Sequence, residues 1–232
     1  MNLMYGLENV VTIILSVVGV LIVTYAQTKI NSTYSKYKKV NVSNNLTGRD
    51  VARKILDSNG LTNIKINQVS GDLSDHYDPT KKCVNLSSSI YNGNTIAGVS
   101  VAAHECGHAL QDKDNYTFMR IRASLVPVVN LVSYLGYFSI IVSLIAGITG
   151  YLKVGIFTIL ATLLFQLVTL PVEFNASSRA KKELLKLNLV SNNEIKGTSK
   201  MLGAAAFTYV ASVISSLINL FRLVIMLGNR ED

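Results

Sequence analysis

The chain of 232 residues has no tryptophan, only two cysteines and only three histidines. Two cysteines, Cys83 and Cys106, are too few for a disulfide framework. Charged residues are missing altogether from four long runs, at 9–28, 123–152, 154–172 and 201–221. Helical core segments of soluble proteins seldom run for about 20 residues without a charge, whereas a span of a ~30 Å hydrocarbon core needs such a length. The sequence therefore predicts a helical protein with four membrane spans.

The basic residues predict the orientation of these spans. Of the 22 Lys and Arg residues, 13 lie within 29–122 and 6 within 173–200. Cytoplasmic loops carry such an excess, so both segments are expected on the cytoplasmic side of the plasma membrane. Arg222 and Arg230 fall on the outer side of this arrangement. The net charge of +8 is thereby explained by membrane orientation, and no nucleic-acid partner is predicted.

The first apolar run is expected to be an uncleaved anchor. Its flank Met1–Glu8 contains no Lys or Arg, whereas a signal peptide begins with a basic region.

A small α+β portion is predicted between the first two runs. Thr47 with Asp50 three residues later has the pattern of a capped helix start, and Gly60 fits the stop. Short strands are predicted near 64–66 and at 82–86, on either side of a turn-rich stretch.

Residues 104–108 read His-Glu-Cys-Gly-His on a predicted helix from about 96 to 112. Two histidines four residues apart stand on one helix face, where both imidazoles can bind one Zn²⁺. Glu105 lies off that face and is suited to deprotonate a water held by the metal. Cys106 points away from the histidines and is expected to be a packing residue. The pattern predicts a hydrolytic zinc site.

A catalytic zinc site needs a third protein ligand and one open position. The candidates by residue type are His76, Asp112, Asp114, Glu173 and Glu183. We favour Glu173, because it ends an uncharged run at the predicted membrane surface, where a carboxylate needs a cationic partner. A hairpin formed by the second and third spans would return Glu173 to the side of the HExxH helix. The polar continuation of that third helix, at 173–188, offers Ala176 and Ala180 as contact residues.

Three segments of the chain, in order, carry a family resemblance. They read Ser70-Gly-Asp-Leu-Ser-Asp-His-Tyr-Asp-Pro79, Val101-Ala-Ala-His-Glu-Cys-Gly-His-Ala-Leu-Gln111 and Pro171-Val-Glu-Phe-Asn-Ala-Ser-Ser-Arg-Ala180. Together they resemble the bacterial YugP-type neutral zinc metallopeptidases, and more distantly the HtpX and CAAX-protease type. The resemblance covers most of the chain and implies a membrane-embedded zinc peptidase with HExxH and a downstream glutamate.

The resemblance also implies roles for single residues. His104, His108 and Glu173 would bind one Zn²⁺, and Glu105 would be the general base. The distant relatives have Glu-x-x-Ala-Asp where this chain has Glu173-Phe-Asn-Ala-Ser177, so Ser177 or Asn175 is expected to accept an imidazole N–H.

Candidates by residue type for an oxyanion or substrate contact are His76, Tyr77 and Arg179. The strand at 82–86 is predicted to pair with an extended substrate.

The resulting fold class is mainly α, a four-span membrane protein with a small α+β cytoplasmic metallopeptidase portion. We expect one membrane-embedded domain over 1–232, with spans at about 9–28, 123–148, 152–172 and 202–221 and catalytic segments at 47–122 and 173–200. The expected function is zinc-dependent cleavage of membrane-associated proteins or peptides. Two alternatives remain open at this point, an inactive zinc-binding scaffold and a site-2-type intramembrane protease.

Overall fold

The structure, a computed structural model, describes residues 2–71, 74–146 and 151–231. Its helices are α1 (Asn2–Tyr37), α2 (Gly48–Ser58), α3 (Ser88–Asn92), α4 (Ile96–Lys113), α5 (Thr117–Ala146), α6 (Tyr151–Lys186) and α7 (Glu194–Glu231). Its strands are β1 (Lys65–Val69), β2 (His76–Asp78) and β3 (Cys83–Ser87). The mainly α class is confirmed.

Within the described residues, four helices contain stretches long and apolar enough to cross a membrane, namely Val10–Tyr37, Thr117–Ser139, Leu152–Lys186 and Glu194–Gly228. In the most apolar part of each of these helices, at most 22% of the residues are buried inside the protein. Apolar side chains point outward instead, with Ile13, Val20 and Ile145 exposed by 62%, 65% and 84%. Such surface is compatible with lipid and incompatible with soluble core helices. Residues 147–150, between the second and third helices of the predicted hairpin, lie outside the described residues.

The chain forms two compact units. The first comprises Met1–Gln27, Arg120–Leu170 and Thr208–Asp232. Within it the guanidinium of Arg222 donates a 2.7 Å hydrogen bond to Ser16 Oγ, so this charge of an otherwise apolar stretch has a polar partner on α1.

The second unit comprises Thr28–Met119 and Pro171–Phe207 and contains α2, α3, α4 and the sheet. The predicted capping box of α2 is confirmed. Thr47 Oγ1 accepts from the Asp50 amide, and the Asp50 carboxylate accepts from the Thr47 amide at 3.1 Å. The apolar face of this helix, including Val51, Ile55 and Leu56, is fully buried.

The sheet has the order β1-β3-β2, with β1 parallel and β2 antiparallel to β3. Val84 at the centre of β3 pairs with Ile66 on one side and with Tyr77 on the other. A strand that is paired on both sides has no edge left for another chain. The prediction that the strand at 82–86 pairs with substrate is therefore wrong. Sequence reasoning missed β2, because its three residues lie in a turn-rich stretch.

Candidate metal centre

Helix α4 lies in the interior of the second unit and is held there by close contact with α6. Thr95 caps its first turn by accepting from the Gly98 amide at 3.1 Å, and most of its side chains from Ile96 to Gln111 are buried. At Gly107, inside HExxH, a Cβ atom would overlap the carbonyl of Ala176. Glycine at this position therefore permits the backbones of α4 and α6 to touch, and it brings Glu173 within reach of the two histidines.

Three side chains converge at this contact. Glu173 Oε2 lies 3.3 Å from His104 Nε2 and 3.7 Å from His108 Nε2. The two imidazole rings stand edge to face, with centroids 4.8 Å apart and an interplanar angle of 83°. Glu173 and His108 are buried and His104 is partly buried. Among the described residues this is the one group of three or more His, Cys, Asp or Glu side chains arranged for a metal.

The Nδ1 atoms of both histidines have partners away from Glu173. Ser177 Oγ lies 3.2 Å from His104 Nδ1, and Gln111 Oε1 lies 3.0 Å from His108 Nδ1. When Nδ1 is occupied as a donor, the lone pair of a neutral imidazole is on Nε2. Both lone pairs then point toward the Glu173 carboxylate.

The orientation of Gln111 follows from its other contacts. Its amide Nε2 donates to the Val172 carbonyl at 2.7 Å and to Asn175 Oδ1 at 3.0 Å. The same Asn175 oxygen accepts from Arg179 Nε at 2.8 Å. Because these acceptors hold the NH₂ end of Gln111, its oxygen must face His108, and His108 Nδ1 must be the donor. Sequence reasoning missed Gln111, which is fully buried and sits three residues after His108.

Charge at the cluster favours a cation. Burial alone would lower the pKa of His108, but the negative charges of the neighbouring Glu173 and Glu105 carboxylates raise it above its ordinary value. A site that stabilises positive charge on an imidazole also suits a divalent metal ion.

Glu105 is buried beside the cluster and is bound by strand β2. Its Oε2 accepts from the Tyr77 backbone amide at 3.0 Å. The Tyr77 hydroxyl donates to Asp112 at 2.6 Å, and Asp112 also pairs with Lys82. Tyr77 thus connects β2 to α4 at two points, Glu105 within HExxH and Asp112 four residues after it. Burial and the Asp112 contact raise the pKa of its phenol, so the hydroxyl stays protonated.

The remaining candidates have partners elsewhere. His76 Nδ1 contacts the Ser74 carbonyl at 2.8 Å and Nε2 contacts Asn85 at 3.0 Å. The Arg179 guanidinium pairs with Asp114. Glu183 accepts from Asn59 at 2.9 Å.

Cys106 is fully buried, with its thiol against the Ala52 carbonyl. Burial raises the pKa of this thiol. It is the packing residue that the sequence predicted.

The three converging side chains fit zinc. With zinc–ligand distances of about 2.0–2.2 Å, ligand atoms of a tetrahedral site are roughly 3.3–3.6 Å apart. The separations of 3.3 and 3.7 Å from Glu173 Oε2 to the two Nε2 atoms are close to this value, and the ligand atoms of all three residues lie within 4.8 Å of one another. Two imidazoles, one carboxylate and an open position form the donor set of a catalytic zinc site.

Comparison with known proteins shows the family of this chain. A family profile described as "Putative neutral zinc metallopeptidase" matches residues 12–228, and the chain belongs to this family. The chain is also 44% identical over 208 residues to "Putative membrane protease YugP" of Bacillus subtilis (strain 168), covering 90% of this chain and 92% of that protein. No solved structure matches the chain.

Proposed function

We propose that the protein is a membrane-anchored zinc endopeptidase that cleaves peptide bonds of proteins or peptides in or near the bilayer. The observation that carries the proposal is the convergence of His104, His108 and Glu173, with both Nε2 atoms directed at one carboxylate. Membership of the zinc metallopeptidase family supports the class of chemistry. The four apolar helices support the membrane location.

In this proposal His104, His108 and Glu173 hold one Zn²⁺. The bound metal would supply a Lewis acid that polarises the scissile carbonyl and makes a water molecule more acidic. Glu105 takes a proton at its carboxylate and returns it to the leaving amine. The Tyr77 amide keeps one oxygen of Glu105 in place, so the other oxygen carries the proton. Ser177 and Gln111 hold the two imidazole rings.

The excess of basic residues in the segments that contain the cluster supports a cytoplasmic active site. Helix α4, which carries HExxH, is not among the candidate spans found in the described residues. This argues against the site-2-type alternative, in which that motif lies within a span.

Metal analysis of the purified full-length protein tests the ligand set. Glu173→Gln should lose stoichiometric zinc. Glu183→Gln is the matched control, since it changes another buried acid of the same helix outside the cluster, and it should keep zinc. Equal zinc content in wild type and Glu173→Gln would contradict the proposed ligands.

Cleavage of a casein-type substrate tests the reaction. Glu105→Gln should keep zinc yet lose cleavage, and a chelator should abolish the wild-type activity. Zinc-loaded wild type that cleaves no protein substrate, in detergent or in bilayers, would favour the inactive zinc-binding scaffold.

A further inference from the structure

A groove in the second unit has a strongly basic lining. It has a volume of about 560 Å³, within the range of small-molecule sites. The lining comes from α1 and α7 and consists of Lys29, Ser32, Thr33, Lys36, Tyr37, Lys200, Gly203 and Ala204. Three of the eight residues are lysines and none is acidic. The groove is thus suited to an anion.

Two of the lysines place the groove at the level of lipid headgroups. Lys29 directly follows the charge-free run 9–28, and Lys200 directly precedes the charge-free run 201–221. They therefore mark the same end of two spans, where the hydrocarbon gives way to phosphate. Lys36 lies two helical turns beyond Lys29, about 10 Å further along α1.

Aromatic rings help to hold two of the ammonium groups. Lys29 Nζ lies 4.7 Å from the ring centroid of Phe207, and Lys36 Nζ lies 5.6 Å from that of Tyr37. The hydroxyls of Ser32 and Thr33 donate to the Lys29 carbonyl at 3.0 and 2.7 Å. Recognition of an anion would therefore rest on the lysines.

One wall of the groove also contacts the start of the HExxH helix. A Cβ atom at Gly197 would lie 3.0 Å from Tyr37 and 3.0 Å from Ile96, so α7 packs closely on the end of α1 and on the first residue of α4. At Gly203, by contrast, a Cβ atom would meet nothing within 4 Å. The groove is open at that point.

We propose that this groove binds the phosphate of an anionic phospholipid and so braces α1 and α7 against α4. Anionic lipids are attracted to lysines at the membrane surface, and the position of Lys29 and Lys200 favours a lipid over a soluble anion. The inference does not depend on zinc or on cleavage.

Native mass spectrometry of the full-length chain in neutral detergent tests the proposal, with phosphatidylglycerol and phosphatidylcholine as probes. One phosphatidylglycerol should be retained, and phosphatidylcholine should not. Gly203→Leu fills the groove without removing a charge and should abolish retention. Gly228→Leu is the matched control, because a Cβ at this helical glycine of α7 also meets nothing within 4 Å, and it should bind as wild type does.

A second pair of variants distinguishes binding in the groove from nonspecific electrostatic attraction of the lipid. Lys29→Gln with Lys200→Gln should weaken retention about tenfold or more. Lys38→Gln with Lys39→Gln removes the same charge from residues outside the lining and should have little effect. Thermal unfolding of each variant confirms that it is folded.

Three outcomes would overturn the proposal. They are equal loss of lipid in the two lysine pairs, unchanged binding by Gly203→Leu, and equal retention of both lipids. Displacement of the lipid by inorganic phosphate at similar concentration would show a soluble-anion site instead. Since lipid retention is read without a substrate, its failure would leave the zinc and cleavage tests unaffected.

Discussion

Gln111→Leu removes the side chain that contacts His108 Nδ1. The loss of stability expected from this substitution follows from the contacts of Gln111. Three hydrogen bonds are lost, to His108 Nδ1, to the Val172 carbonyl and to Asn175 Oδ1. At about 1 kcal/mol net for each, the free energy of unfolding should fall by about 3 kcal/mol. Zinc affinity should fall by about 10- to 100-fold, as is typical when the partner of a ligand histidine is removed.

Gln111→Glu separates the two effects. A glutamate can still accept from His108 Nδ1 but cannot donate to the Val172 carbonyl. It should therefore destabilise the fold at least as much as leucine does, yet retain zinc more tightly. Gln68→Leu serves as a control, because the Gln68 side chain is exposed and its one side-chain hydrogen bond among the described contacts is to Ser88.

Two measurements check this reasoning, namely zinc affinity by competition with a fluorescent chelator below the unfolding temperature, and thermal unfolding. Folded Gln111→Leu protein that binds zinc within twofold of wild type would refute the orienting role. An unchanged unfolding temperature would refute the energetic estimate.

Three further changes give separate tests of the site and fold. Gly107→Ala should force α4 and α6 apart, because the new methyl overlaps the Ala176 carbonyl. Zinc content should drop, and an unchanged content would refute the close approach. Ser177→Ala should weaken zinc binding through His104 while the fold is retained, as circular dichroism would show; wild-type affinity would contradict this.

Thr47→Ala should cost about 1 kcal/mol of stability by removing the cap of α2. The Thr47 hydrogen bond lowers the pKa of Asp50 below its ordinary value of 3.8. The corresponding stabilisation is therefore present at neutral pH and is lost as the pH falls below that value. The measurement is the thermal unfolding midpoint of wild type and Thr47→Ala at pH 7 and at pH 3. If the midpoint changes between the two pH values by the same amount in both proteins, the proposed pH dependence of this contact is refuted.

Local features were predictable because they depend on neighbours in the chain. The capping box needs only Thr47 and Asp50, which are three residues apart. Charge-free runs predicted the helices that are long and apolar enough to cross a membrane, although α1, α6 and α7 continue into the second unit. The pairing of β3 could not be predicted from neighbouring residues, because it depends on Ile66 and Tyr77, which belong to two other strands.

The sequence by itself determined the helical class, the HExxH segment and the chemical types of the proposed ligands, because spacing on one helix sets which side chains share a face. The tertiary structure decided which acid lies with the histidines. Glu173 is 65 residues beyond His108 along the chain, and the contact exists because Gly107 lets two backbones touch at Ala176. It also decided that Gln111 and Ser177 orient the two rings. Such contacts arise from packing between distant segments, which no local propensity encodes.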